Sequence, residues 1–392
     1  MRHFILLFVL IVLYSSINAQ SPGTSKPPVI DVSIFSDATH HWYDINEKGA
    51  VILPRAGHPQ YKSTDITAIA DNILLFQKDN GGWPKNYDMQ AILTPDQVDS
   101  VVRSKSQTNT TFDNRTTYSH IDYLAKVYTY TKTEKYKTAA LKGLDFIIES
   151  QYANGGWPQY YPLEENNYSS HITYNDDAMA GIMFLLKDIV DGKPQFGFID
   201  DAHRAKLRSA FDNGLNCIIK TQINDAGQPT AWCQQYDEIN MEPAWARKFE
   251  PPSICNGESP KIVELLMNIK HPSAAVINAV QSAVAWFKVS AIKGIRIETF
   301  PAPEMVTPFR ISKTDKRVVE DATAPIIWAR YYELKTHRPL FCNRDSKVVY
   351  SLAEVLRERR DGYGWYTYEP QKILNQYPAW QKRWAPEKNV LK

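Results

Sequence analysis

Two acidic segments of the sequence carry side chains that could hold a metal ion. Asp113 lies in residues 110–117, and Asp176 and Asp177 lie in residues 173–177, and each segment precedes a predicted helix. One aspartate in each segment could simply cap its helix. Neighbouring carboxylates repel each other unless a cation or a helix dipole offsets the repulsion, and hard divalent cations bind carboxylate oxygens. Asp113 with Asp176 or Asp177 is therefore a candidate calcium site.

Basic side chains in aromatic loops form a second candidate group: Arg247, Arg310, Lys313 and Arg330. Arg247 lies in residues 231–259, where prolines interrupt a stretch rich in polar and aromatic side chains, as is typical of a long functional loop. Each arginine could instead be structural, stacked on a ring and paired with a glutamate such as Glu250 or Glu333. Together with the acidic segments, the group predicts a groove for a carboxylated ligand that a metal bridges.

A repeated helical pattern supplies elements that can position these loops. Residues 65–77, 139–151 and 207–222 are apolar at helical spacing, and each stretch ends in a glutamine that is followed by a glycine-containing turn and a tryptophan. One helix pair cannot bury its apolar face alone, so such pairs stack. We therefore predict a mainly all-α fold, an α/α barrel of helix-pair repeats with long irregular loops. Further helices are predicted at 119–130, 177–189, 259–269, 276–292, 324–334 and 346–359, and strands only in short pieces such as 295–300.

The Gly-Gly-Trp-Pro turns of the repeat admit two interpretations. Glycine can end a helix in a left-handed cap and proline prevents its restart, while the tryptophan covers the end of the pair. The turns would also place Trp83, Trp157 and Trp232 on one rim, where aromatic rings can stack on sugar faces. Both interpretations can hold at once, and Trp232 is retained as a candidate ligand contact.

The N-terminal residues predict export. Residues 1–19 have a basic start, an apolar middle and a small residue at the cut, which is typical of a cleavable signal peptide. An uncleaved membrane anchor is the alternative, but the apolar run is shorter than the roughly 20 residues that span a bilayer. Residues 20–40 are predicted as a flexible linker and residues 41–392 as one domain. We expect a secreted or periplasmic protein that is monomeric and free of the membrane in its mature form.

Charge and cysteine content exclude other classes. The formal net charge of +2 gives no support to a nucleic-acid partner. Cys217, Cys233, Cys255 and Cys342 form no C-x-x-C pair, so a zinc site is not expected. Disulfides and buried free thiols both remain open.

Five ordered segments resemble the pectate lyases of polysaccharide lyase family ten: residues 111–117, 172–179, 232–237, 243–250 and 327–332. The resemblance extends over nearly all of residues 65–366. Tyr236 stands where histidine is expected and Phe249 where tyrosine is expected, which affects subsite contacts more than the reaction.

The resemblance implies an exported enzyme with an α/α barrel catalytic domain that cleaves polygalacturonate, the backbone of pectin, by β-elimination in the presence of calcium. It implies that Arg247 removes the proton from C5 of a galacturonate and that Arg330 holds a substrate carboxylate. Asp113 and Asp176 would lie at the metal and the adjoining subsite. Further substrate contacts are expected from Asn114, Asp177, Trp232, Arg310 and Lys313.

The residue types agree with this chemistry, with one difficulty. A calcium ion beside the substrate carboxylate stabilises the enolate-like charge that forms when C5 loses its proton. Arginine, however, is almost always protonated in proteins. Either neighbouring cations lower the pKa of Arg247, or Arg247 only stabilises charge while hydroxide removes the proton.

Three alternative functions remain at this point. A glycoside hydrolase would use Asp113 and Asp177 as its two carboxylates, which leaves the arginines without a task. The Gln-x-x-x-Gly-x-Trp pattern at 77–83 and 151–157 resembles the repeat of terpene cyclases, but those enzymes need an apolar cavity and these loops are polar. A sugar-binding protein without catalysis would bind an oligouronate and leave it intact.

Overall fold

A computed structural model describes residues 29–44, 52–53, 57–164, 167–225, 227–308 and 310–392. The predicted signal peptide lies outside this part of the chain. Within it, none of the helices combines the length and the apolar character needed to cross a bilayer. The linker prediction for residues 20–40 is wrong in its second half: Ser33–Phe35 is a 3₁₀ turn, helix α1 (Ser36–Asp44) follows, and Phe35 is buried in the core.

The fold is mainly helical, as predicted. Among the described residues the helices after α1 are α2 Ile66–Phe76, α3 Pro95–Arg103, α4 Tyr118–Thr131, α5 Glu134–Glu149, α6 Ala178–Val190, α7 Asp201–Thr221, α8 Ser259–Met267, α9 Ala274–Val289, α10 Arg357–Gly362 and α11 Glu369–Trp384. The predicted helices at 65–77, 119–130, 139–151, 177–189, 207–222, 259–269 and 276–292 correspond to α2 and to α4 through α9.

The helices pack in consecutive pairs that form two layers. α4 packs on α5, α6 on α7 and α8 on α9. Neighbouring pairs meet through α2, α4, α6 and α8 in one layer and through α5, α7 and α9 in the other, and α11 packs on both α8 and α9. Each helix buries an apolar stripe in the shared core; α6, for example, buries Ile182, Leu186 and Ile189. The ends of the pairs that carry the loops therefore lie side by side.

The same hydrogen bonds close each repeat. Buried indole Nε1 atoms donate to main-chain carbonyls of a preceding helix: Trp83 to Ile73 at 2.7 Å, Trp157 to Ile147 at 2.9 Å, Trp232 to Ile218 at 2.8 Å and Trp328 to Phe287 at 2.8 Å. Glutamines that follow α2, α5 and α7 donate to main-chain carbonyls of α5, α7 and α9: Gln77 to Ala139, Gln151 to Ala210 and Gln222 to Ala279. Gly81 and Gly155 adopt φ of 97° and 94°. The structural role of the tryptophans is confirmed, but glycine does not cap the helices: α2 and α5 end at Phe76 and Glu149, and Gly81 and Gly155 lie in the turns beyond.

Strands occupy the loops between and after the helix pairs. The longest pair, β6 with β7, is an antiparallel hairpin that extends well beyond the predicted strand at 295–300. The described strands are β1 Ile172–Thr173, β2 Asn224–Asp225, β3 Gln228–Pro229, β4 Gln235–Tyr236, β5 Ile254–Cys255, β6 Ile295–Val306, β7 Ile311–Glu320, β8 Trp328–Ala329, β9 Tyr331–Tyr332, β10 Pro339–Cys342, β11 Val348–Val349 and β12 Tyr366–Thr367.

Two predicted helices are wrong. Residues 324–334 form β8, which pairs with β12, and β9, which lies between β5 and β10. Residues 346–359 contain β11, a 3₁₀ turn at Leu352–Glu354 and the start of α10. Short apolar runs fit helical and extended periodicity equally well, and here the strands join the loops by hydrogen bonds.

All four cysteines are buried and form no disulfide, so of the two alternatives left open the free thiols are found.

Candidate active site

Asp113 begins a 3₁₀ turn, Asp113–Arg115, shortly before α4. Its carboxylate is buried, and its Oδ2 accepts a hydrogen bond from Nζ of Lys85 at 2.9 Å. Burial raises the pKa of this carboxyl, but the Lys85 ammonium outweighs burial and the pKa lies below its ordinary value. The Oδ1 atom is also buried, and none of the described residues donates to it. Asp113 is therefore a charged group with one oxygen unused.

Asp176 and Asp177 lie in the corresponding turn before α6, Asn175–Asp177, where both adopt a left-handed backbone with φ of 50° and 61°. The side chain of Asp176 is exposed within a cavity, and Nδ2 of Asn175 donates to its Oδ2. Desolvation by the protein groups around the cavity, and then repulsion from Asp113 and Glu258, raise the pKa of Asp176 well above its ordinary value. A cation placed beside these carboxylates would relieve the repulsion.

Arg247 lies in the loop that precedes β5, and Glu250 holds its side chain. Nε and Nη2 of Arg247 donate to Oε2 and Oε1 of Glu250 at 2.8 and 2.5 Å, which makes a bidentate ion pair. Burial lowers the pKa of Arg247, but Glu250 more than offsets burial, so the pKa lies above its ordinary value. The structural alternative, pairing with Glu250, is confirmed. The protein groups around Arg247 thus raise its pKa, and a lowering by bound calcium stays one of the two alternatives.

Arg330 follows β8 and is paired in a similar way. Its Nη2 donates to Oε1 of Glu258 at 2.5 Å, and its guanidinium lies 5.0 Å from the ring centre of Tyr363. Burial raises the pKa of Glu258 to about 7, and the nearby Arg330 opposes this rise. The guanidinium is mostly buried, with 18% of the side chain exposed. Arg330 is therefore a fixed positive charge at the wall of the site.

A cavity of about 680 Å³ brings the acidic turn and Arg330 into one opening. Asp176, Asp177, Glu258 and Arg330 line it, and α1 supplies another part of its wall. The other lining residues come from α1, from the turn that begins at Asp113, from the residue before Glu258 and from the segment that reaches α11: Ser36, Asp37, His40, Arg115, Gly257, Gly364, Tyr366, Thr367 and Glu369.

The structure brings Asp113, Asp176, Arg247 and Arg330 together. The two 3₁₀ turns pack against each other, and Asp176 interacts electrostatically with the other three side chains. They therefore share one face of the molecule. Which of them bind metal and which bind substrate stays a prediction.

Asn114 and Asp177 belong to the same two turns. The Nδ2 atom of Asn114, a buried residue, donates to Oδ1 of Asn86 at 2.8 Å. Oδ2 of Asp177 lies 3.8 Å from Nη2 of Arg115, and burial raises its pKa. Of the two, only Asp177 lines the cavity.

Three other predicted substrate contacts do not line this cavity. Trp232 is fully buried with its indole nitrogen bonded to Ile218, so the prediction that it contacts substrate is wrong. Lys313 lies on β7 with 75% of its side chain exposed, and it pairs with Glu304 across the hairpin at 3.1 Å. Arg310 pairs with Asp361 at 3.1 Å, two residues before Tyr363. Neither basic residue lines the cavity described above.

Comparison with known proteins decides the family. A sequence model described as pectic acid lyase matches residues 77–374, which is most of the chain. The chain belongs to the pectic acid lyase family.

Two solved structures of a family 10 polysaccharide lyase from Cellvibrio cellulosa are similar to this lyase. One is an aspartate-to-alanine mutant in complex with trigalacturonic acid; it is 28% identical with a TM-score of 0.66, over 81% of this chain and 96% of that one. The other is 28% identical with a TM-score of 0.66, over 84% of this chain and 98% of that one. A search of curated proteins gives no match. The resemblance found in the sequence is confirmed, and the protein is a polysaccharide lyase.

Four side chains of the lyase share one position of the repeat, two residues after the buried tryptophan: Lys85, Gln159, Gln234 and Arg330. The carbonyls of the last three accept main-chain hydrogen bonds from Phe112, Tyr174 and Asn256 at 3.0, 3.0 and 2.8 Å, so the position is held alike in these three copies. Lys85 pairs with Asp113, and Gln234 accepts from Tyr331. Sequence reasoning missed Lys85, Gln159 and Gln234, although their common offset from tryptophan was visible.

The donor atoms around Asp113 fit a hard cation in part. The unused Oδ1 of Asp113 and the mutual repulsion of Asp113 and Asp176 are what a divalent ion would satisfy. Thr116 Oγ1 and Gln159 Oε1 are further buried oxygens that make no hydrogen bond with the described residues. In the described part of the lyase, three or more metal-binding side chains converge at His171, Asp237 and Glu238 and not at Asp113. Carboxylates from substrate would therefore have to complete a site at Asp113 and Asp176.

Proposed function

We propose that the chain is an exported, calcium-dependent pectate lyase that cleaves α-1,4-linked polygalacturonate by β-elimination and releases unsaturated oligogalacturonates. The observation that carries the proposal is the meeting of Asp113 and Asp176 with Arg247 and Arg330 on one face. Guanidinium groups suit the uronate carboxylates of the polymer, and a bound oligogalacturonate in a related structure supports this substrate class.

β-Elimination removes the C5 proton, forms the C4–C5 double bond and expels the sugar oxygen at C4. Asp113 and Asp176 would hold calcium, which when bound neutralises the substrate carboxylate and so makes the C5 proton more acidic. Arg330, fixed by Glu258, would hold a substrate carboxylate. These residues fix the ring so that C5 faces Arg247.

Arg247 acts at C5 in this proposal. Glu250 keeps the guanidinium charged in the free enzyme, so Arg247 must first lose a proton before it can accept one from C5. The proposal therefore expects a rate that keeps rising toward alkaline pH. If hydroxide removes the proton instead, Arg247→Lys retains most of the turnover because only positive charge is needed.

The test is a spectrophotometric assay on polygalacturonate with and without calcium. A lyase releases a product with a C4–C5 double bond that absorbs in the near ultraviolet, and chelation of calcium abolishes the increase. A hydrolase using Asp113 and Asp177 releases reducing ends without this absorbance, and a binding protein releases neither. New reducing ends without absorbance would refute the proposal.

We propose in addition that the two helix layers curve into an α/α barrel, as the family resemblance implies. We also propose that residues 1–19 direct export and are cleaved, so that a secreted or periplasmic monomer begins near Gln20. Sequencing the N-terminus of the exported protein and measuring its mass in solution test both statements. An N-terminus at Met1 on membrane-bound protein contradicts cleavage.

A further inference from the structure

Glu250 is a buried carboxylate whose two oxygens receive four donors. Oε2 accepts from Nε of Arg247 at 2.8 Å and from the main-chain N–H of Arg247 at 3.0 Å. Oε1 accepts from Nη2 of Arg247 at 2.5 Å and from the hydroxyl of Tyr363 at 2.8 Å. Only 2% of the Glu250 side chain is exposed. Such a group is fully hydrogen-bonded and can occupy only one orientation.

This carboxylate removes most of the freedom of Arg247. The arginine side chain is 42% exposed and long, so without a partner it would populate many rotamers. Glu250 occupies the edge of the guanidinium formed by Nε and Nη2, and Nη1 lies outside this edge. The central carbon of the guanidinium is 5.0 Å from the ring centre of Phe249. One edge of Arg247 is thus anchored while the other remains available to a ligand.

The anchor is connected to Arg330. The Tyr363 hydroxyl that bonds Glu250 also lies 2.6 Å from the Tyr331 hydroxyl, and Nε of Arg330 donates to Tyr331 at 3.3 Å. Each hydroxyl has one hydrogen: Tyr363 donates its hydrogen to Glu250, so Tyr331 donates either to Tyr363 or to Gln234, which it also contacts. Glu250, Tyr363, Tyr331 and Arg330 therefore form one continuous series of polar contacts between the two guanidinium groups that the proposed function assigns to substrate.

We propose that Glu250 is a positioning residue for the elimination: its carboxylate fixes the guanidinium of Arg247 against C5, and Tyr363 couples this position to that of Arg330. The inference rests on the proposed function, in which Arg247 acts at C5. Glu250 itself does not touch the substrate. Its contribution is the orientation and the charge of Arg247.

Chemical rescue separates this role from simple structural support. In Arg247→Ala, Glu250 remains as a receptor for a free guanidinium ion, so guanidinium at low millimolar concentration should restore part of the lost turnover. In the double variant Arg247→Ala/Glu250→Gln the receptor is gone, and rescue should be weaker by at least about tenfold. Equal rescue in both variants would overturn the proposal.

Glu250→Gln tests the same role with the arginine in place. We expect kcat to fall about tenfold to a hundredfold and KM to change less than about twofold, because orientation at C5 is lost while binding is kept. The alkaline rise of the rate should move to lower pH, because Glu250 no longer opposes proton loss from Arg247. The other groups that interact electrostatically with Arg247 are unchanged in this variant: Tyr363, Asp113, Asp176, Glu258, Tyr168 and Arg359. Lower stability with an unchanged pH profile and unchanged kcat would contradict the proposal.

Asp71→Asn is the matched control. The Asp71 carboxylate also accepts from a tyrosine hydroxyl, Tyr136, and from a cation, Lys135, but it lies half-exposed on α2 away from the site. Its removal should leave kcat, KM and the pH profile unchanged.

NMR of arginine side chains gives a readout besides activity: the Nε–H signal of Arg247 should be slow to exchange in the wild type and fast in Glu250→Gln. That result would hold even if the wild type failed to cleave polygalacturonate.

Discussion

Asn114 and Asp176 occupy the same position in two copies of one turn. Their backbone angles are φ 49°, ψ 42° and φ 50°, ψ 37°, and each turn leads into a helix of the same layer. When the two turns are aligned in this way, Asp113 corresponds to Asn175. The two candidate metal-binding acids, Asp113 and Asp176, therefore occupy adjacent positions of the repeated turn. Aspartate and asparagine both tolerate the left-handed backbone, which lets the two copies exchange a charge for an amide without changing the turn.

The first prediction concerns Asp176. Asp176→Asn should keep the turn, whereas Asp176→Ala should lower the free energy of unfolding by about 1 kcal/mol more, because alanine lacks the local hydrogen bonds that favour this backbone. Both variants should need more calcium for half-maximal activity on polygalacturonate. Calcium titrations of activity and chemical denaturation check the two effects separately. An unchanged calcium requirement in both variants would remove Asp176 from the metal.

The second prediction concerns the stability of Arg247→Ala. The Arg247 side chain is partly exposed, so its truncation leaves no core cavity. It does leave Glu250, a buried carboxylate, without its charge partner, and we expect a loss of roughly 2–4 kcal/mol. In Arg247→Ala/Glu250→Gln most of this loss should be recovered. Chemical denaturation of the four proteins measures the coupling, and additive losses would contradict it.

The third prediction is a dependence of stability on pH. Burial lowers the pKa of His120 to about 3, and its ring stacks on Trp83 with 5.3 Å between ring centres. The unfolded chain binds a proton at His120 below about pH 6.5, whereas the folded protein does not until about pH 3. This one residue should therefore lower the free energy of unfolding by about 1.4 kcal/mol per pH unit as the pH falls through that window.

His120→Phe keeps an aromatic ring in place and removes the titrating group. Denaturation between pH 7 and pH 4 should show a shallower fall in stability for this variant than for the wild type, by about one proton. Parallel curves for the two proteins would show that the fold tolerates a charged His120.

The fourth prediction follows from the correction at Trp232. Trp232→Phe removes the hydrogen bond to Ile218 and should lower the free energy of unfolding by roughly 1–3 kcal/mol. KM for polygalacturonate should not change, since the interior ring cannot contact substrate. A several-fold rise in KM with unchanged stability would restore the sugar-stacking interpretation.

The fifth prediction compares two glycines with positive φ. A Cβ on Gly155 would lie 2.1 Å from the carbonyl oxygen of Asn213, whereas a Cβ on Gly192 meets no atom within 4 Å. Gly192→Ala should cost about 1 kcal/mol, from the left-handed backbone alone. Gly155→Ala should cost roughly 2–5 kcal/mol, because the helix behind the turn must move as well. Thermal unfolding of the two variants distinguishes them.

Periodicity predicted the helices that bury an apolar stripe, α2 and α4 through α9. It failed at residues 324–334, where tryptophan and tyrosine suit a strand as well as a helix and only pairing with β5, β10 and β12 decides. It also omitted α3, although Thr94 and Gln97 form a capping box and Pro95 starts the helix. The residue types at the site were predictable, but their partners were not. Lys85 with Asp113 and Arg330 with Glu258 are joined only by the stacking of repeats.

The four buried indoles have a consequence for how such a site can change. Each tryptophan fixes the main chain through its own ring nitrogen, and the side chain two places along takes no part in that hydrogen bond: Lys85 pairs with Asp113, Gln234 accepts from Tyr331 and Arg330 pairs with Glu258. Lysine, glutamine, glutamine and arginine already fill this place in turn. A side chain at this place can thus be exchanged for another while the indole hydrogen bond beneath it is left intact.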